Sequence, residues 1–199
     1  MIFIGRYIVG ITGASGSIYA LRLYEELLRL GHEVHIVITR NGQKVMDHEL
    51  GPDAAGLAGR LEGKLEGRLI IHDADDLFAP IASGSFKVDA MAVVPCSMAT
   101  LGELAAGISK NLLGRAADVC LKERRTLVLV PRETPLNTIH LKNMLSLSEA
   151  GAVILPAMPA FYGKPLNIND MVDFIAGRVL QSLGIDNDLF MKWGEKYEK

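Results

Sequence analysis

The chain has 199 residues, with 21 Lys and Arg against 23 Asp and Glu, for a net charge of −2 at neutral pH. That balance argues against nucleic acid or an anionic membrane as the main partner, because both draw on a basic excess. With 49% hydrophobic and 22% charged residues the composition excludes disorder, fits a single domain over residues 1–199, and leaves apolar surface for a homo-oligomer to cover.

The opening residues, Met1-Ile2-Phe3-Ile4-Gly5-Arg6, lack the charged start and long apolar run of a secretory signal. The two cysteines, Cys96 and Cys120, show no CxxC or Cys/His zinc spacing. A cytoplasmic, reducing location is therefore expected, with no membrane span, since charge-free stretches such as Gly151–Gly163 are broken by Pro and Gly.

Tyr7–Ile11 reads as a first strand. It runs into Gly10-Ile11-Thr12-Gly13-Ala14-Ser15-Gly16, a tight turn opening a helix over Ser17–Leu30, whose Ala20, Leu23, Tyr24, Leu27 and Leu28 fall at helical spacing before Gly31. Such a helix start offers N–H groups to a phosphate, although a plain strand-to-helix turn also asks for small residues. Neither G-x-G-x-x-G nor the G-K-[ST] of a P-loop is present. The strand Glu33–Ile38 ends at Thr39-Arg40, where a dinucleotide site would place an acid for the ribose, so NAD is disfavoured; Thr39 suits a phosphate or a helix cap over Thr39–Glu49, and Arg40 keeps NADP open.

Residues 57–68 read LAGR-LEGK-LEGR, and a glycine in every unit points to a frayed surface helix or an excursion rather than a firm helix. Arg68–His72 is the third strand, followed by Asp73, Asp75 and Asp76 as helix or turn caps. Ala90–Pro95 is the fourth, and Ser97 with Thr100 opens the helix Ser97–Ala106 as either a cap or a second anion site. Buried cysteines are usually inert, so Cys96 receives no nucleophilic role.

In the helix Lys110–Glu123, Arg115, Asp118 and Lys122 share one face, as an ion-pair ladder or as cations for a phosphate. The strand Thr126–Val130 leads directly into Arg132-Glu133, a charged pair better suited to a site than to folding. A helix at Thr138–Ala150, a strand at Ala152–Leu155, the apolar loop Pro156–Tyr162 and a helix at Ile168–Leu183 complete the chain. Short Val/Ile runs alternating with helices predict an α/β fold with a parallel sheet between two helical layers, in which ligands lie beyond the carboxyl ends of the strands. The five histidines show no metal spacing, no Ser-His-Asp triad is legible, and no metal is expected.

Gly13-Ala14-Ser15-Gly16, the Ser97-x-x-Thr100 helix start, Arg115–Arg125 and Pro131-Arg132-Glu133 occur in an order that closely resembles the UbiX-type flavin prenyltransferases. The match continues through Ile139–Met144, Gly151–Pro156 and Trp193-Gly194-Glu195, and so covers nearly the whole chain. The resemblance implies a three-layer Rossmann-like or flavodoxin-like domain, a dodecamer with active sites between subunits, and metal-independent transfer of a dimethylallyl group from dimethylallyl monophosphate to N5 and C6 of reduced FMN. The product, prenylated FMN, would serve UbiD-type decarboxylases.

By the same resemblance, Gly13, Ala14, Ser15, Thr39, Ser97, Met98, Ala99, Thr100 and Arg132 would hold FMN. Lys122, Glu133, Tyr162 and Arg178 would hold the allylic phosphate, with Arg115 adding charge from a neighbouring chain. Ser15, Glu49 and Glu133 would move protons. Leu77, beside Phe78, stands where the family often has tryptophan. Two alternatives remain, an FMN-dependent cysteine decarboxylase, which would use a histidine shortly after the first helix, and a non-catalytic FMN carrier.

Overall fold

Six strands, β1 (Arg6–Ile11), β2 (Glu33–Ile38), β3 (Arg68–His72), β4 (Ala90–Cys96), β5 (Thr126–Pro131) and β6 (Val153–Ile154), pair in parallel in the order β3-β2-β1-β4-β5-β6. The computed structural model describes residues 5–51 and 66–194. Most of the LAGR-LEGK-LEGR segment, the first four residues and Glu195 lie outside them. Each strand coincides with a predicted one to within a residue, because burial on both faces demands nearly continuous apolar side chains.

Alternation sorts these side chains into two cores. Tyr7, Val9, Ile11, Val34, Ile36, Ala92, Val94, Val128 and Val130 pack against α1 (Ser17–Arg29), Met46 of α2 (Arg40–Leu50) and α6 (Ile168–Ser182). Ile8, Val37, Met91, Val93, Leu127 and Leu129 meet α3 (Met98–Ala105), α4 (Leu112–Lys122) and Leu147 of α5 (Thr138–Glu149). The result is the expected three-layer α/β domain. None of the helices among the described residues is long and apolar enough to cross a membrane.

Helix starts explain most of the small boundary differences. Thr39, Ser97, Asn111, Asn137 and Asn167 each accept a hydrogen bond from a first-turn backbone N–H, and an N-cap stands just outside the helix it closes. The exception is α1, whose Gly16 sits in the left-handed region at φ 109° and offers no side chain. What caps α1 instead is part of the site.

β1 leads outward through β2 to β3, whereas β4 to β6 build on its other side. The chain therefore reverses direction across the sheet between β1 and β4, and a crevice opens at the carboxyl ends of these two strands.

At the opposite flank, buried Glu33 holds Arg6 and accepts from His35 Nε2 at 3.0 Å, while His35 Nδ1 lies 2.7 Å from His72 Nε2. Burial lowers the pKa of His32, His35 and His72; at His35 it outweighs the opposing pull of Glu33, and at His72 the His35 imidazole adds to it. From about pH 6.5 downward the unfolded chain thus binds protons that the fold refuses, so stability present at neutral pH is lost on acidification. The expected result is a melting temperature that is level near about pH 7.5 and falls from about pH 6.5 to about pH 5.5, where carboxylates contribute little; a flat profile would contradict it.

Candidate active site

Thr12, the first residue after β1, is 1% exposed and ties the two sides of the crevice together. Its Oγ1 donates to the Pro95 carbonyl at 2.8 Å and accepts from the Ser97 N–H at 2.7 Å, while its own N–H donates to the same carbonyl at 3.2 Å. The glycine turn after β1 and the start of α3 are thereby held in one register. At α3, the Ser97 hydroxyl accepts from the Thr100 N–H at 3.3 Å and donates to Thr100 Oγ1 at 3.1 Å. The first-turn N–H groups of Met98 and Ala99 have no intrahelical acceptor and face the helix end.

The start of α1 is different. Glu49, near the end of α2, brings its carboxylate to Gly16 N–H at 3.1 Å and Ser17 N–H at 2.9 Å, and the Ser15 hydroxyl also bonds it. The N-terminus expected to attract a phosphate is therefore already capped by an anion of the protein itself. Burial alone would raise the Glu49 pKa, but the Ser15 hydroxyl and the two backbone donors hold it below the ordinary carboxyl value. Glu49 is a standing acceptor at neutral pH, and its hydrogen-bond partner Ser15 is one of the residues singled out in sequence.

Tyr19 joins this cluster without having been anticipated. Its ring lies directly over Gly16, where an added Cβ would come within 2.8 Å. Its phenol is shifted upward by burial, with the charge of Arg132 opposing and that of Glu49 adding to the shift. The available signal was a polar aromatic in the first turn of a helix that follows a glycine turn.

Gly13, Ala14, Ser15, Ser97, Met98, Arg132 and Glu133 line one cleft of about 180 Å³. A second cavity of about 470 Å³ is lined by Arg132, Glu133, Leu136, Met144, Pro156 and Met158 among others. Arg132 and Glu133 are the wall shared by a polar compartment and a mostly apolar one. Both side chains are exposed, and Glu133 Oε1 accepts from the Thr134 N–H at 3.0 Å. Thr39 caps α2 next to this region, its Oγ1 accepting from Gly42 N–H at 3.1 Å.

The remaining candidates are not gathered there. Neither compartment is lined by Arg115, Lys122, Tyr162 or Arg178. Arg115 bonds Asp118 at 2.8 Å and the Ala82 carbonyl at 3.1 Å, so the first half of the ion-pair ladder forms, but Lys122 pairs with Glu123 instead of Asp118. Lys122 precedes β5 whereas Glu133 follows it, and a six-residue strand separates its two ends by roughly 20 Å. Arg178, exposed on α6, bonds Gln181 at 2.9 Å. Tyr162 packs edge-on against Trp193, with ring centroids 5.2 Å apart.

The Flavoprotein family profile matches residues 4–180. A flavin prenyltransferase UbiX of Halalkalibacterium halodurans is 50% identical over 198 residues, covering 98% of this chain and 96% of its own. The chain belongs to the UbiX-type flavin prenyltransferases. Among solved structures, AnUbiX (PadA1) in complex with FMN and dimethylallyl pyrophosphate superposes with a TM-score of 0.88 at 40% identity, over 96% of this chain and 98% of that one. A dodecameric FMN-dependent UbiX-like decarboxylase of Escherichia coli O157:H7 gives 0.86 at 41% identity, over 96% and 100%. As a UbiX-type enzyme of this fold, the protein has its polar crevice at the β1/β4 switch, where open α/β sheets bind their ligands.

Proposed function

We propose that the crevice binds reduced FMN and that the enzyme transfers a dimethylallyl group from dimethylallyl monophosphate to flavin N5 and C6. The observation that carries this reading is the Arg132-Glu133 wall between a polar cleft and an apolar cavity. One flavin has both a charged, hydroxyl-rich end and a flat apolar ring, and the pair of compartments suits both. The donor set also fits, because Gly13, Ala14, Ser15, Thr39 and the α3 start from Ser97 to Thr100 supply hydroxyls and N–H groups, while Arg132 adds a fixed positive charge.

When bound, reduced FMN supplies the nucleophilic atoms. The protein's task is the leaving group. Breaking an allylic C–O bond builds charge on the departing phosphate, and Lys122, Arg178 and Arg115 stabilise that charge most where it is largest, in the transition state. Glu133 hands a proton to the phosphate, Tyr162 orients it, and Ser15 relays a proton beside the flavin while Glu49 holds the serine hydroxyl in place. Because Lys122 and Glu133 stand at opposite ends of β5, a complete site takes Lys122 from one copy and Glu133 from another.

The working form is the homododecamer, the assembly of the related UbiX-like structure from Escherichia coli O157:H7, with prenylated FMN passing to a UbiD-type decarboxylase in a cytoplasmic setting. Both cysteines are buried free thiols, with burial pushing Cys96 up to about 12 and Cys120 up to about 11, which suits an enzyme that does not use thiol chemistry. The decarboxylase alternative finds less support. His32 and His35, the histidines that follow α1, are 5% and 2% exposed, and His35 is engaged by Glu33 and His72.

Glu49→Gln and Glu133→Gln test the reading. Each is expected to keep FMN binding within a few-fold and lower turnover by about 100-fold, the usual size of a general acid–base contribution. Full turnover in both variants would show that neither carboxylate moves a proton in the reaction, and wild type that binds FMN without forming product would mean that the protein carries the flavin.

A further inference from the structure

We propose that Glu123 and Gly84 form a seat that positions the Lys122 ammonium for the donor phosphate; this rests on the assignment of Lys122 to that phosphate. Lys122 is the last residue of α4, and 44% of its side chain is exposed. Left alone, its four-carbon stem would spread the charge over many rotamers. Its Nζ is instead in contact with Glu123 Oε1. A lone pair of this kind, with Glu123 itself 36% exposed, adds little to stability, so its effect falls on where the ammonium sits.

Both charged ends rest on Gly84. A Cβ at this position would lie 2.8 Å from Glu123 Cδ and 2.8 Å from Lys122 Nζ, and closer still to Oε1, so the carboxylate and ammonium fill the space that a side chain would take. The surface beneath them is fixed rather than yielding. Arg125 donates to the Gly84 carbonyl at 2.6 Å and to the Phe86 carbonyl at 3.0 Å. The turn closes on itself through Ser83 Oγ and Ser85 Oγ at 2.9 Å and Phe86 N–H to the Ser83 carbonyl at 3.2 Å. Arg115, the other cation assigned to the donor, leans on the same segment through the Ala82 carbonyl at 3.1 Å. One turn thus fixes the stations of two cations that project from a single helix.

Electrostatics alone predicts the opposite effect for Glu123. A carboxylate beside Lys122 weakens the pull on a phosphate, so a residue that merely masks charge would, on removal, tighten donor binding. A seat, on removal, loosens it. Glu123 is therefore a positioning residue, acting through Lys122, and the sign of one measurement separates the two cases.

The experiment is calorimetric titration of dimethylallyl monophosphate into the oxidised FMN complex, which cannot turn over, together with KM and kcat under reducing conditions. Glu123→Ala and Gly84→Ala are expected to weaken donor binding about five-fold and to lower kcat as well as raise KM, with melting temperature nearly unchanged. Glu123→Gln keeps an oxygen acceptor and restores most of the affinity. In the Lys122→Met background, Glu123→Ala adds nothing further. Tighter or unchanged binding in Glu123→Ala, with Lys122→Met itself weakened, overturns the seat, as does a Glu123→Ala effect that persists undiminished without Lys122. Unchanged donor binding in Lys122→Met instead overturns the assignment of Lys122 on which the seat rests.

Discussion

Lys122→Met and Glu133→Gln are each expected to lower kcat/KM by at least about 100-fold, and mixtures of the two inactive proteins to regain activity after their subunits are exchanged. The reason is geometric. Lys122 closes α4 at the amino end of β5, and Glu133 follows β5 at its carboxyl end, so the length of the strand stands between them. Neither the cleft nor the cavity beside Glu133 is lined by Lys122 of the same chain. If a site draws Lys122 from one copy and Glu133 from another, random exchange leaves about one quarter of sites with both intact residues, and about that fraction of wild-type activity. The assay is turnover before and after reversible dissociation of the mixed oligomers. Should the mixture stay as inactive as its components while re-formed wild type recovers, the two residues do not meet between subunits.

Thr12→Val is expected to cost about 2–4 kcal/mol of stability and to weaken FMN binding, although it changes the side-chain volume little. The hydroxyl is 1% exposed and serves two partners, the Pro95 carbonyl at 2.8 Å and the Ser97 N–H at 2.7 Å. Valine leaves the part-buried Ser97 donor without its acceptor, and loosens the α3 start from the end of β1 just where the crevice opens. Thr12→Ser keeps the hydroxyl and should restore most of both properties. The measurements are thermal denaturation and flavin fluorescence titration; a Thr12→Val variant as stable and as tight-binding as wild type would show that the crevice is held by other contacts.

Much of this architecture was legible in the residues because local and global demands agree. Strands buried on two faces have to be written in Val, Ile and Leu, and the left-handed residue after every helix but α4, where Arg124 takes it, is glycine. Even β2, which contains Glu33 and His35, read correctly, since its polar residues satisfy one another within the sheet layer. Helix caps were similarly local, and Thr39 and Ser97 fill that role while still lying beside the crevice.

What escaped the sequence was long-range. Glu49 reaches the start of α1 across 32 to 33 positions, and only the packing of α2 beside α1 reveals that this helix end is capped by a side chain. Tyr19 looked like one more residue of an amphipathic helix until its ring proved to lie over Gly16, within reach of the charges of Arg132 and Glu49. The spacing of Arg115, Asp118 and Lys122 promised one continuous ladder, yet Lys122 turns to Glu123 because Gly84 leaves room for both. Spacing along a helix states which side chains share a face, and the opposing surface decides which of them pair.

The crevice at the β1/β4 switch is expected to support transfer of an allyl group to a flavin. This is tested most directly by anaerobic incubation of the protein with FMN, a chemical reductant and dimethylallyl monophosphate, followed by mass spectrometry of the extracted flavin. The predicted result is a flavin heavier by one C5H8 unit, formed by the wild type and strongly reduced with Glu133→Gln. Flavin recovered at its original mass, from protein that demonstrably binds both FMN and the donor, would contradict it.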